Sequence, residues 1–160
     1  VAWNETNDEA LRPRFGTEIV PNVLMLVEDR PASLSALLLA ADIARAQHAQ
    51  LSVVHVQSPS AWRIAAGFTI PESVLRTADA QLVDLLHDKV SGLLQLVPGV
   101  AWTFSSVRGC PRSVAQQSIR RLHPLAVVVG PPRRHRPRLG RSLARWLIGR
   151  PNVPAVVAPA

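Results

Sequence analysis

Leu125-Ala126-Val127-Val128-Val129-Gly130 is an apolar run without polar alternation, closed by a glycine. A strand of this kind is covered on both faces, as in a parallel sheet with helices on either side. Its C-terminal end, at Gly130, is where open α/β sheets place their ligands. Beyond it lies a loop carrying Arg133, Arg134, Arg136, Arg138 and Arg141, then a short helix over about 139–148 and a second apolar run at 153–157. Any charged partner is first sought here.

The same alternation is legible upstream. Val23-Leu24-Met25-Leu26-Val27 reads as a first buried strand ending at Glu28-Asp29. Pro31 and Ser33 open a helix in which Leu34, Leu37, Leu38, Ala41 and Ala44 recur at helical spacing, ending near His48. Leu51-Ser52-Val53-Val54-His55-Val56 is the second strand, so the first 57 residues hold one βαβ unit. A longer connection with Trp62, Ile64 and Phe68 leads to a helix from Pro71 to about Leu96, with Val74, Leu75, Leu82, Leu85, Leu86 and Val90 on its apolar side. The third strand is predicted over Val100 to Val107, with Trp102 and Phe104 on one face. Gly109-Cys110-Pro111 turns into a helix from Arg112 to Leu122. Pro154 and Pro159 flank the last run and favour an edge position. Five strands alternating with four helices predict a Rossmann-like, doubly wound α/β domain over residues 21–160, preceded by a mostly polar extension over 1–20.

Composition narrows the class. A chain of 160 residues with 48% hydrophobic content is one domain with a core of its own. No apolar run reaches the roughly 18–20 residues of a membrane span, and the first residues lack the basic-then-apolar pattern of a secretory leader. Cys110 is the single cysteine, which excludes an intrachain disulfide and a cysteine metal cluster. A reducing cytoplasm is the expected home. The net charge of +7 conceals a division: all 11 acidic residues lie at or before Asp88, and from Lys89 onward there are 11 arginines and one lysine. An acid-free half of this kind suggests an anionic partner.

These segments together resemble the universal stress protein family. The resemblance runs without a gap from Val23 to Val56, continues through the Gly109-Cys110-Pro111 turn, and ends with Val127-Val128-Val129-Gly130 and Val153-Pro154-Ala155-Val156-Val157. It covers about Asn22 to Pro159 and implies a five-stranded sheet in the order 3-2-1-4-5. It also implies a homodimer paired along the final strand, with Val153, Ala155, Val156 and Val157 as the candidate edge. ATP-binding members carry Gly-x2-Gly-x9-Gly-(Ser/Thr) from the end of the fourth strand. Here Gly130 matches the first glycine, Arg133 stands at the second, Arg141 at the third, and Ser142 at the serine. Glu28 corresponds to the family's nucleoside-contacting Asp, and Val56 to a valine lining the adenine pocket. Glycines let backbone N–H groups close on phosphate oxygens, and Pro131 and Pro132 remove two such donors. The family's phosphate cradle is therefore expected to be broken.

Each candidate residue has a functional and a bland reading. Arg133, Arg134 and Arg141, with Ser142, would clamp phosphate through guanidinium groups, or form a solvated basic loop. Glu28 and Asp29 would bind ribose hydroxyls or Mg²⁺, or are solvated strand-end acids. Gly109 and Gly130 are further nucleotide-binding candidates. His55 reads as a hydrogen-bonded core histidine and Cys110 as a buried or inert thiol. The helix over 139–148 sets Leu139, Leu143, Trp146 and Leu147 against Arg141 and Arg145, a stripe for packing on the sheet rather than for lying on a membrane. Trp62, Ile64 and Phe68 either cover the sheet or meet a partner. His48, His87, His123 and His135 lack metal-ligand spacing, and no nucleophile–base pair is visible. The expectation is a non-enzymatic, homodimeric regulatory domain without the intact ATP loop and without a cofactor, its basic face open to an anionic small molecule or protein. The alternative is a nucleotide switch taking ATP with Mg²⁺ on arginines. A weaker one is a polyanion or nucleic-acid binder.

Overall fold

The described residues form β1 (Asn22–Glu28), α1 (Pro31–Ala46), β2 (Gln50–Gln57), α2 (Glu72–Leu94), β3 (Trp102–Arg108), α3 (Pro111–Leu122), β4 (Ala126–Val129), α4 (Leu143–Ile148) and β5 (Ala155–Val157). The structure, a computed structural model, describes residues 20–28, 31–57, 72–130, 143–150 and 154–158. All strand pairs are parallel, in the order β3-β2-β1-β4-β5. This is the doubly wound sheet expected from the strand–helix alternation, with the order that the resemblance implies.

β1 lies at the centre because it is apolar at every inner position. Val23, Met25 and Val27 point to one face, Leu24 and Leu26 to the other, and all five are essentially inaccessible. The first face is closed by α1 and α2, whose Ala36, Leu37, Ala40, Ala41, Ala44, Val90 and Leu94 pack on Val23, Met25, Val53 and Val128. The fully buried alanines of α1 let its backbone lie close to the sheet, while Leu37 supplies bulk worth about 1.5–3 kcal/mol on burial. The second face is closed by α3 and α4, through Val114, Ala115, Leu143, Ala144 and Leu147. Pro111 opens α3, where its missing N–H costs nothing. The helix stops at His123, which is left-handed (φ 43°) and donates to the Ile119 carbonyl at 3.0 Å, before Pro124.

Three local expectations are corrected. Val74 and Leu85, expected on the apolar side of α2, face outward at 55% and 51% exposure, and Leu86, Val90 and Leu94 do the packing. α2 ends at Leu94 rather than Leu96, which is exposed in the following turn. β3 begins at Trp102 rather than Val100, although the Ala101 carbonyl already accepts from the Leu51 N–H at 2.9 Å. β5 sits at the border of the sheet, as its flanking prolines predict. The aromatic connection with Trp62, Ile64 and Phe68, the extension up to residue 19 and the expected first turn of α4 at Leu139 lie outside the described residues.

Candidate functional site

From β1 the sheet grows through β2 and β3 on one side and through β4 and β5 on the other. The strand order therefore reverses between β1 and β4, and the C-terminal ends of those two strands are where open α/β sheets place their ligands. The parallel register decides which residues meet there. Glu28 is opposite Val56, Val56 opposite Val107, and Leu26 opposite Val129. Glu28, Val56, Gly109 and Gly130 thus share one end of the sheet. Val56 is buried with Val107, Val114 and Val129 beneath α3. Gly109 extends the ladder past β3 by donating to the Gln57 carbonyl at 3.0 Å, and both glycines are half-buried. Asp29, Arg133, Arg134, Arg141 and Ser142 lie outside the described residues.

Cys110 sits at the same end, as the N-cap of α3. It was expected to be buried or inert, and it is exposed. It closes no side-chain cap bond, yet its pKa is lowered. The backbone N–H of Arg112, then that of Ser113, favours the thiolate, and the Arg112 charge adds a small contribution.

Two polar contacts were missed by the sequence reading. His55 is fully buried, as expected of a core histidine, and its Nδ1 shares a 2.8 Å hydrogen bond with Ser106 Oγ on β3. A serine–histidine pair is the start of a nucleophilic arrangement. With the ring wholly enclosed, this pair acts as a clasp between β2 and the border strand β3. At the end of β3, Arg108 pairs with Asp79 of α2 and donates from Nε to Gln57 Oε1 at 3.4 Å. The arginine directly after an alternating strand was the available signal, but its partner required the packing of α2. Among the described residues, no group of three or more His, Cys, Asp or Glu side chains is placed to hold a metal ion. No helix among them is long and apolar enough to cross a membrane.

The candidate association edge is β5, where Ala155, Val156 and Val157 are each half-buried. Val156 contributes to the first core and Ala155 and Val157 to the second. Its inner side is bonded to β4, with Val127 donating to the Pro154 carbonyl at 2.9 Å and Ala158 to that of Val129 at 3.0 Å. Val153 lies outside the described residues.

A family model described as the universal stress protein family matches residues 20–159. No curated protein matches the chain significantly. Among solved structures, a member of that family from Burkholderia pseudomallei is 19% identical, with 89% of this chain and 98% of that one covered at a TM-score of 0.67. Universal stress protein UspA from Lactobacillus plantarum is 18% identical, covering 87% and 97% at 0.66. An Arabidopsis thaliana family member with AMP bound is 19% identical, covering 86% and 90% at 0.51.

Proposed function

Since the chain belongs to the universal stress protein family, we propose that it is a non-catalytic regulatory domain that works by association, pairing with a second copy along β5. The observation that carries this reading is the β5 edge itself. It is short, apolar and half-exposed on both faces, with no charged side chain among Ala155, Val156 and Val157 to repel another strand. Loss of the glycine pattern at Arg133 and Arg141, and of two N–H donors at Pro131 and Pro132, supports a site that does not grip a triphosphate in the family's manner.

A second reading is a nucleotide-responsive switch. It is favoured by the placement of Glu28, Val56, Gly109 and Gly130 at one end of the sheet, where the strand order reverses, and by the AMP bound to the Arabidopsis relative. There, Arg133, Arg134 and Arg141 with Ser142 would take the phosphates. One titration separates the two: ATP with Mg²⁺ added to the full chain at physiological salt, with heat and molar mass followed together. The association reading expects twice the 17.4 kDa chain mass and no heat up to millimolar ATP. Micromolar binding that disappears in Arg133→Ala or Arg141→Ala overturns it and establishes the switch.

A further inference from the structure

The charge division along the sequence becomes a division across the sheet. α1 and α2 cover one face and carry Asp42, Asp79, Asp84 and Asp88 together with Arg45, Arg76 and Lys89. Asp42 is paired with Arg45 at 2.9 Å, and Asp79 with Arg108. α3, α4 and the turn after α4 cover the other face with Arg112, Arg120, Arg121, Arg145 and Arg150, and no carboxylate occurs on these elements. Between the arginines of α3, the outward positions are Ser113, Gln116 and Gln117, which offer further hydrogen bonds without negative charge.

We propose that the α3/α4 surface is a docking face for the phosphate backbone of a nucleic acid. This goes beyond the association reading by adding an anionic partner to self-pairing. Three features favour a polyphosphate over a small anion or an acidic peptide. First, the cations are spread out: Arg112 and Arg120 are eight residues apart on α3, or about 12 Å. A duplex presents one charge per about 1.7 Å, so roughly seven phosphates pass that span. Second, among the described residues the helices on this face carry charges of one sign, which fits a partner of one sign, whereas a protein surface brings mixed charges. Third, the cations are all arginine, whose planar fork matches phosphate oxygens bidentately. The Arg150 guanidinium is moreover held over the Trp146 ring, 4.3 Å from its centroid, which limits the freedom lost on binding.

The test is fluorescence anisotropy of a labelled mixed-sequence 20-base-pair duplex with the full chain, from 50 to 300 mM salt. Binding is expected, with log K falling linearly in log salt. Arg120→Gln/Arg145→Gln should weaken it roughly 10- to 100-fold near 0.1 M salt and reduce the slope by about 2. Arg120→Lys/Arg145→Lys, which keeps the charge, should retain most of the slope and controls for folding. Arg76→Gln/Lys89→Gln on the other face should change nothing. Absent binding at 50 mM salt overturns the proposal, as does an unchanged slope in the glutamine variant or an equal loss in the opposite-face variant. Displacement by 1 mM ATP would place the phosphates at the strand ends instead, and equal competition by polyglutamate would assign the face to acidic proteins. Molar mass measured alongside keeps these outcomes separate from a failure of β5 pairing.

Discussion

The two faces of the sheet are built from alternate residues of the same strands but are finished differently. On the α1/α2 face, Val23, Met25 and Val27 meet four fully buried alanines and Leu37. On the α3/α4 face, Leu24 and Leu26 meet Val114, Ala115 and Leu147. Both faces enclose polar atoms, but on the first the buried His55 is hydrogen-bonded to Ser106, whereas the second holds a less complete set. Asn22 Nδ2 donates to Ser52 Oγ at 2.8 Å, and Thr103 Oγ1 approaches the same oxygen at 3.4 Å. Asn22 Oδ1, Ser105 Oγ and Ser118 Oγ are buried without a hydrogen-bond partner. The first face encloses its polar pair satisfied. The other leaves polar atoms unpartnered beneath helices whose charged side chains, among the described residues, are all arginine, as expected where a surface has a task besides stability.

Three measurements sharpen or break this contrast. The largest effect is expected for Leu37→Ala, which opens a cavity between α1 and β1 and should cost about 2–5 kcal/mol in denaturant unfolding. A loss below 1 kcal/mol would mean that this face is looser than its burial implies. Ser118→Ala should raise stability by about 1 kcal/mol, because it removes an unpartnered buried hydroxyl and improves helix propensity. If stability falls instead, a buried water satisfies Ser118 and the second face is no less complete than the first. The smallest change is at Cys110, where iodoacetamide alkylation should reach half its maximal rate below the ordinary thiol pKa, about 8.5. As the folded pKa is the lower one, what stability the thiolate adds is present above the unfolded pKa. It is lost as pH falls through the folded pKa. A midpoint equal to that of the urea-unfolded chain would remove the helix-terminus effect.

Strands β1 and β2 were legible because burial on both faces leaves an unbroken apolar run, and parallel neighbours were the only way to bury it. α2 was read less well. Its apolar residues cover an arc wider than one contact, so Val74 and Leu85 were assigned to the side that Leu86, Val90 and Leu94 occupy. Only the position of the sheet selects among them. Strand order was not in the pattern either and entered through the family resemblance. Of the candidate site residues, Glu28 and Gly130 were marked as strand ends by charge and glycine, while Val56 and Gly109 entered through the family resemblance. Their meeting depends on register, which no local signal encodes. The same holds for Ser106 beside His55, joined across 51 positions. The exposure of Cys110 was not legible, because burial at a helix start is set by what lies around it.

The pairing of β1 with β4 has a kinetic consequence. Val23 to Leu26 are matched with Ala126 to Val129, about a hundred residues later in the chain. During synthesis at roughly 5–20 residues per second, the apolar edge of the central strand waits on the order of 5–20 s for its neighbour. β1, α1 and β2 can assemble in that interval, but one row of backbone donors and acceptors beside Leu24 and Leu26 stays open. The part of the molecule most deeply enclosed at the end is the part longest exposed to chance pairing while the protein is being made.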